Sequence, residues 1–369
     1  MLTVYCIEQN SERLLSASDP TDPYTKFMKS TLFLQHDFSL RPFNTFGIDV
    51  TASTYLEVTS ADHLFQVFDN PELMSQPKLV IGGGSNLLLT DHFSGLVLRM
   101  AMKGMNVERE DADAVYVRAA AGEKWHDLVS WTLDQGYGGL ENLSWIPGTV
   151  GAAPVQNIGA YGSELKDCFH SLKAFDFRDG KVVELNKSDC QFAYRHSIFK
   201  TDFKGRFVIL DVCFALPKAW NPNVAYAEVD KELAARKMAN PTAADISRVI
   251  IDIRQRKLPD PAVTGNAGSF FKNPTVEAEK LLELKKDYPA MPSYEQPDGT
   301  YRLAAGWLID QCGWKGKHYG NAGVCKTQAL VLVNRGNATG KEIAELSEAI
   351  KKDVFDTFGI RLEPEPVFV

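Results

Sequence analysis

Apolar residues recur at helical spacing in three stretches of the chain. Trp125, Leu128, Val129, Thr132 and Leu133 share one face, with Gly136 placed to close the helix. Ile246, Val249, Ile250 and Ile253 form a second stripe, which Thr242 opens with Asp245 three residues on as a capping-box variant. It ends in Arg254, Arg256 and Lys257 before Leu258-Pro259-Asp260-Pro261, a proline stop that predicts a linker. The third stripe is Ile343, Leu346, Ile350, Val354 and Phe358, opened by Thr339 with Glu342 and closed by Gly359.

Between these helices the pattern is of short β-type runs. Lys78 to Ile81 is the clearest; Ala114 to Val117, Phe207 to Leu210 and Ala329 to Val333 are others. Strands and helices are interspersed without alternating one for one, which predicts α+β rather than a doubly wound sheet. Residues 1–36 mix Ser, Asp, Pro and scattered apolar positions without a period and read as a poorly ordered leader.

Length and charge narrow the class. The 369 residues leave room for two or three domains. Forty basic against forty-seven acidic side chains give a net charge of −7, which disfavours a nucleic-acid partner. No apolar run approaches the roughly 18 residues of a membrane span. The six cysteines include no CxxC, and the seven histidines form no HxH or HExxH, so no metal is assigned. Buried thiols in a cytoplasmic protein are the expectation, with a monomer as the default.

Four segments are candidates for chemistry. Gly82-Gly83-Gly84-Ser85-Asn86 after a strand is neither GxGxxG nor a P-loop; it reads as a hairpin turn or as a phosphate cradle. Ile146 to Gly162 packs small residues into a run too irregular for a strand or helix and too apolar for a solvated loop, as expected where backbone lies against a flat ligand. Together the two suggest a dinucleotide. Ser269, within Gly265 to Pro274, lies in no GxSxG elbow; it is a turn former or a proton donor. Arg195, within Tyr194 to Lys200, is a structural ion-pair partner or a guanidinium for a carboxylate. Glu363-Pro364-Glu365-Pro366 reads first as a solvated edge strand.

Taken in order, these segments closely resemble the UDP-N-acetylenolpyruvoylglucosamine reductase family, also called UDP-N-acetylmuramate dehydrogenases. Asn44 to Gly47, Gly139 to Asn142, Lys257 to Pro261, Ala304 to Gln311, Gln328 to Val331 and Leu362 to Glu365 also match, so the resemblance runs from about residue 37 to the end. It implies an FAD-binding fold of the vanillyl-alcohol-oxidase type, made of two α+β subdomains, plus a third α+β substrate domain. By analogy these span 37–104, rejoined by a C-terminal strand at 359–369, then 105–257 and 258–358.

The implied reaction is NADPH-dependent reduction of UDP-N-acetylglucosamine enolpyruvate to UDP-N-acetylmuramate through FAD, in peptidoglycan precursor synthesis. Gly82, Gly83, Gly84, Ser85, Asn86, Pro147, Gly148, Thr149 and Gly159 are implied to hold FAD. Arg195 matches the arginine that stabilises the developing enolate, Glu365 its acidic partner, which a dry site would hold protonated, and Ser269 the serine that protonates carbon. Tyr161, Tyr226, Lys257, Asn273 and Gln328 match substrate positions, and the Tyr226 segment places the chain in the subclass with an extra tyrosine-bearing loop. The leader is extra, Cys325 stands where many members have His, and the chain ends four residues after Glu365 where many continue. An FAD-dependent sugar or alcohol oxidase would share the glycine segments without needing all three of Arg195, Ser269 and Glu365. A non-catalytic nucleotide-sugar binder would need none of them.

Overall fold

In the computed structural model, residues 32–369 are described; most of the segment read as a leader therefore lies outside the described residues. The first strand begins at Gln35, two residues ahead of the expected start of the core.

The first group of strands is β1 (Gln35–Ser39), β2 (Thr51–Val58), β3 (Lys78–Ile81), β4 (Leu87–Leu88) and β5 (Phe93–Met100), with helices α1 (Ala61–Phe68) and α2 (Pro71–Ser75). β1, β2, β5 and β3 form one sheet in that order, parallel except for β1. Parallel pairing demands crossovers, and α1 with α2 supplies the one between β2 and β3. The apolar runs Leu79 to Ile81 in β3 and Leu96 to Leu98 in β5 are continuous, as the buried part of a parallel sheet requires.

A second, wholly antiparallel sheet has the order β11 (Lys181–Asn186), β10 (Phe169–Asp176), β12 (Phe207–Pro217), β7 (Ala114–Ala120), β6 (Met105–Glu110). It packs on α3 (Trp125–Asp134) and on the irregular run that holds the two-residue strands β8 (Gly159–Ala160) and β9 (Ser163–Glu164). Here alternation decides the faces: Val115, Val117 and Ala119 point into the core with Trp125 and Leu128. α4 (Ala227–Ala235) and α5 (Ala243–Lys257) pack as a pair, burying Ile246, Val249, Ile250 and Ile253 with Val229 and Leu233. The Thr242 and Asp245 capping box forms as the spacing predicts.

The remaining strands are β13 (Asn266–Ser269), β14 (Thr275–Val276), β15 (Ser293–Glu295), β16 (Tyr301–Leu303), β17 (His318–Tyr319), β18 (Ala322–Val324), β19 (Val331–Asn334) and β20 (Val367–Phe368), with helices α6 (Ala278–Asp287), α7 (Ala305–Gln311) and α8 (Gly340–Phe358). A four-stranded sheet, β13-β19-β18-β17, is covered by α8, whose predicted stripe is buried and whose Thr339 capping box and left-handed Gly359 cap both form. β19 starts two residues later than the Ala329 to Val333 run suggests, because Gln328 to Leu330 turn into it. The C-terminal β20 returns to pair in parallel with β4, so the last residues of the chain are stitched to the segment that follows the glycine loop.

Candidate active site

The glycine loop is not a hairpin turn. β3 before it runs parallel to β5, while β4 after it pairs with β20, so Gly82 to Asn86 steps between two sheets. Contact with the second small-residue segment fixes its course. A Cβ on Gly82 would lie 2.1 Å from Thr149 Oγ1, and one on Gly83 would lie 3.2 Å from Gly148 Cα. Ser85 Oγ donates to Pro147 O at 3.1 Å. Gly84 has φ +61°, and its amide plane is held by the Thr45 N–H bond to Gly84 O at 3.1 Å. Among the described residues, no protein oxygen takes the N–H groups of Gly83, Gly84 and Ser85, and Thr149 Oγ1 is buried without a partner. Successive backbone donors beside an unsatisfied hydroxyl make an anion-binding concavity.

Gly82, Gly83, Gly148 and Thr149 also wall a cavity of about 720 Å³ that runs to Arg99, Lys103, Lys124, His126 and Arg254. That is within the range of a large cofactor pocket.

Next to it lies a cavity of about 150 Å³, lined by Asn86, Gly148, Thr149, Gly159, Gly268, Ser269, Arg195, Arg254 and Glu365. Three separate parts of the chain deliver Arg195, Ser269 and Glu365 to it. Arg195 occupies a tight turn closed by mutual Ala193 and His196 backbone bonds at 3.1 Å, with φ +52°. Its Nη2 donates to Gly159 O at 2.8 Å and its Nε to Glu365 Oε1 at 3.3 Å. Lys200 Nζ donates to Arg195 O at 3.2 Å; burial, then the nearby Lys272, pushes the ammonium down to about 8. Ser269 ends β13 opposite Val331.

The reading of Glu363 to Pro366 as a solvated edge is corrected for Glu365, which is only 9% exposed. Glu365 N donates to Phe270 O at 2.8 Å, and Asn86 Nδ2 donates to Glu365 O at 3.3 Å. The prolines do hold the segment extended, but it is paired on one side to 270–272 and on the other to the glycine loop. For Arg195, the ion-pair reading and the cavity reading both hold, since its partner is the other candidate side chain.

Arg254 is the residue that sequence reasoning passed over, having been counted only among the basic residues ending α5. It lines both cavities. Its Nε donates to Trp145 O at 3.1 Å, Tyr161 hydroxyl is a second partner, and burial lowers its affinity for the proton. Burial likewise pushes the Tyr161 phenol up to about 12. The available clue was that Arg254 directly follows Ile253, at the edge of the apolar stripe, where a helix side chain faces neither pure core nor pure solvent.

Five residues matched to substrate positions lie outside the linings of these two cavities. Tyr161 and Tyr226 meet edge to face with centroids 5.2 Å apart, and Tyr226 is 45% exposed. Lys257 pairs with Glu228, and Thr327 donates to Lys257 O at 2.9 Å, which brings the Gln328 loop beside it. Asn273 Oδ1 accepts from Ala305 N at 3.0 Å, at the start of α7. Among the described residues no group of three or more metal-type ligands occurs, and no helix is long and apolar enough to cross a membrane.

Residues 260–369 match the family described as UDP-N-acetylenolpyruvoylglucosamine reductase, C-terminal domain, and residues 52–186 match an FAD binding domain. The UDP-N-acetylenolpyruvoylglucosamine reductase of Dechloromonas aromatica (strain RCB) is 52% identical over 333 residues, covering 89% of this chain and 98% of that protein. The chain belongs to the UDP-N-acetylenolpyruvoylglucosamine reductase family. The reductase of Azoarcus sp. (strain BH72) is 53% identical over 342 residues, 92% of this chain and 98% of its own. The crystal structure of the Thermus caldophilus reductase, at 22% identity, superposes with a TM-score of 0.62 over 92% of this chain and 98% of that one, a likeness of fold. The α+β architecture with an FAD-binding domain, expected from the motifs, is thus that of the family.

Proposed function

We propose that this chain reduces UDP-N-acetylglucosamine enolpyruvate to UDP-N-acetylmuramate, with FAD as the bound cofactor and NADPH as the reductant. Family membership supports the reaction, and the observation that carries it is that Arg195, Ser269 and Glu365 line one cavity which the small-residue segment also walls. The chain fits FAD. The N–H groups of Gly83, Gly84 and Ser85 and the unpartnered Thr149 hydroxyl would take the pyrophosphate, and Pro147, Gly148 and Gly159 leave flat backbone for the ring, with Gly82 and Asn86 shaping the turn.

When bound, FAD supplies the means of passing a hydride from nicotinamide to the substrate. The remaining work belongs to side chains. Reduction puts the hydride on the methylene carbon, shifts the double-bond electrons toward the carboxylate, and adds a proton to the carbon bearing the ether oxygen. Arg195 offers that carboxylate a fixed, planar pair of donors, an interaction that strengthens as charge accumulates. Glu365 holds the guanidinium on the other side and is the second acid–base group at the enolate. Ser269 gives its hydroxyl proton to carbon and regains one from solvent; a weak acid suffices because an enolate carbon is strongly basic.

Tyr226, with Tyr161 against its ring, would close over the diphosphate, and Lys257, Asn273 and Gln328 would bind near the nucleotide or diphosphate. We divide the chain at 104, 257 and 358, with 359–369 returning to the first part; the separate sheets and the β4 to β20 pairing support this. A monomer is the default, and a cytoplasmic location follows from NADPH and nucleotide-sugar chemistry.

The test is spectroscopic. The purified protein is expected to be yellow, to bleach with NADPH, and to recover its colour anaerobically on adding the enolpyruvyl substrate. Recovery only with oxygen would make it an oxidase of the same fold, and a colourless protein would remove the flavin reading.

A further inference from the structure

His126 stands outside the catalytic cluster, as the second residue of α3, on the wall of the 720 Å³ cavity. Its Nδ1 accepts the Trp145 N–H at 3.1 Å, an arrangement that requires a neutral ring with its proton on Nε2. The two rings meet edge to face with centroids 5.0 Å apart. Trp145 has φ +58°, a left-handed conformation that bulky residues keep only when surrounding contacts hold it. On its other side, Trp145 O accepts Arg254 Nε at 3.1 Å. The two polar backbone atoms of one strained residue are thus gripped by two side chains, and the next four residues, Ile146 to Thr149, form the wall that faces Gly82 and Gly83.

We propose that His126 is a positioning residue for FAD: by accepting the Trp145 N–H it holds the left-handed turn that sets Ile146 to Thr149 against the glycine cradle and aims Arg254, so protonating the ring loosens the cofactor. A protonated ring would turn Nδ1–H against N–H, donor against donor. The inference rests on the FAD reading for its consequence, though not for the contact itself. Charged groups around the ring are Asp127 on its own helix and Arg254 on α5, with Arg99, Lys103, Lys124 and Asp260 on the same cavity wall. Burial pushes the ring below the usual histidine range; Asp127 opposes this and Arg254 adds to it. Loosening is therefore a feature of acid conditions, beginning below about pH 6.5.

The experiment follows flavin release from the holoenzyme by fluorescence, at about pH 8 and about pH 5, for the native chain, His126→Phe and His126→Asn. Asn keeps an acceptor near the Nδ1 position and does not titrate. The native chain is expected to release FAD about tenfold faster at the lower pH. His126→Phe is expected to be fast at both values, and His126→Asn slow at both. Release from His126→Phe at the native rate, or acceleration of His126→Asn in parallel with the native chain, overturns the proposal. Hydrogen exchange at the Trp145 amide tests the contact with or without flavin. Faster exchange in His126→Phe but not in His126→Asn supports it, and equal exchange in all three chains overturns it even if the protein proves colourless.

Discussion

Arg195 and Glu365 lie 170 positions apart and meet at 3.3 Å between Nε and Oε1, while Nη2 of the same guanidinium donates to Gly159 O at 2.8 Å. Each is mostly buried, so neither finds compensation from bulk water, and each orients the other. The same contact ties the turn at 193–196 to the extended C-terminal segment. It also sets the guanidinium beside Ser269 in one cavity.

Arg195→Lys keeps the charge but loses the planar fork and one of its two anchors. We expect the half-reaction with the enolpyruvyl substrate to slow by about 10²- to 10³-fold, the scale of losing one donor to a developing oxyanion. Flavin reduction by NADPH should be close to native. Stopped-flow absorbance of the two half-reactions measures both; equal slowing of the two would contradict the assignment.

Ser269→Ala removes the proposed proton donor and little else, since the residue is held by the β13 to β19 backbone pairing rather than by its side chain. The expected result is a substrate half-reaction slower by about 10²- to 10⁴-fold with an unchanged flavin content. A substrate half-reaction that runs at the native rate in the variant would show that the proton comes from elsewhere.

Gly84→Ala tests the cradle. The added Cβ would sit 1.8 Å from Phe43 O and 2.9 Å from Asn44 Cα, which are backbone atoms that cannot rotate away, and φ is +61°. Loss of bound flavin and a destabilisation of more than about 1 kcal/mol are expected. The ratio of flavin to protein absorbance and the denaturant midpoint report the two effects; a fully flavinated variant of native stability would refute them.

Lys78 begins the strand that leads into the glycine loop and is 0% exposed, its Nζ donating to Met74 O at 2.8 Å and Gln76 O at 3.0 Å. Burial pushes its ammonium down to about 8, against about 10.5 in the unfolded chain. Between those values the unfolded chain binds more protons than the folded one, so stability rises with pH across that window and is unaffected by this group below it. The native chain should therefore gain stability relative to Lys78→Met between about pH 8 and pH 10. Urea unfolding at both values decides this, and a constant difference would mean that Lys78 stays charged in the fold.

Local rules were legible in the sequence wherever the chain interacts with itself over a few residues. Thr242 with Asp245 and Thr339 with Glu342 form their capping boxes, and Gly359 takes the left-handed cap. The motif order carried the family, and with it the α+β fold. Helices α1, α2, α4, α6 and α7 are not predicted by the pattern; in α4 and α6 the apolar stripes are short, Val229 and Leu233 in one, Leu281 and Leu284 in the other, and neither suffices as a period.

By itself the sequence determined the residue types at the site and the local turns that present them, since caps, glycine turns and proline stops depend on near neighbours. The tertiary structure alone decided that Glu365 is buried rather than solvated, that Arg254 joins two cavities, and that His126 grips Trp145. Those facts rest on contacts such as Asn86 to Glu365, 279 positions apart, and Trp145 to Arg254, 109 apart. No periodicity or propensity encodes such pairings. They follow from packing the sheets together, which sets how much water and which partner each polar group meets.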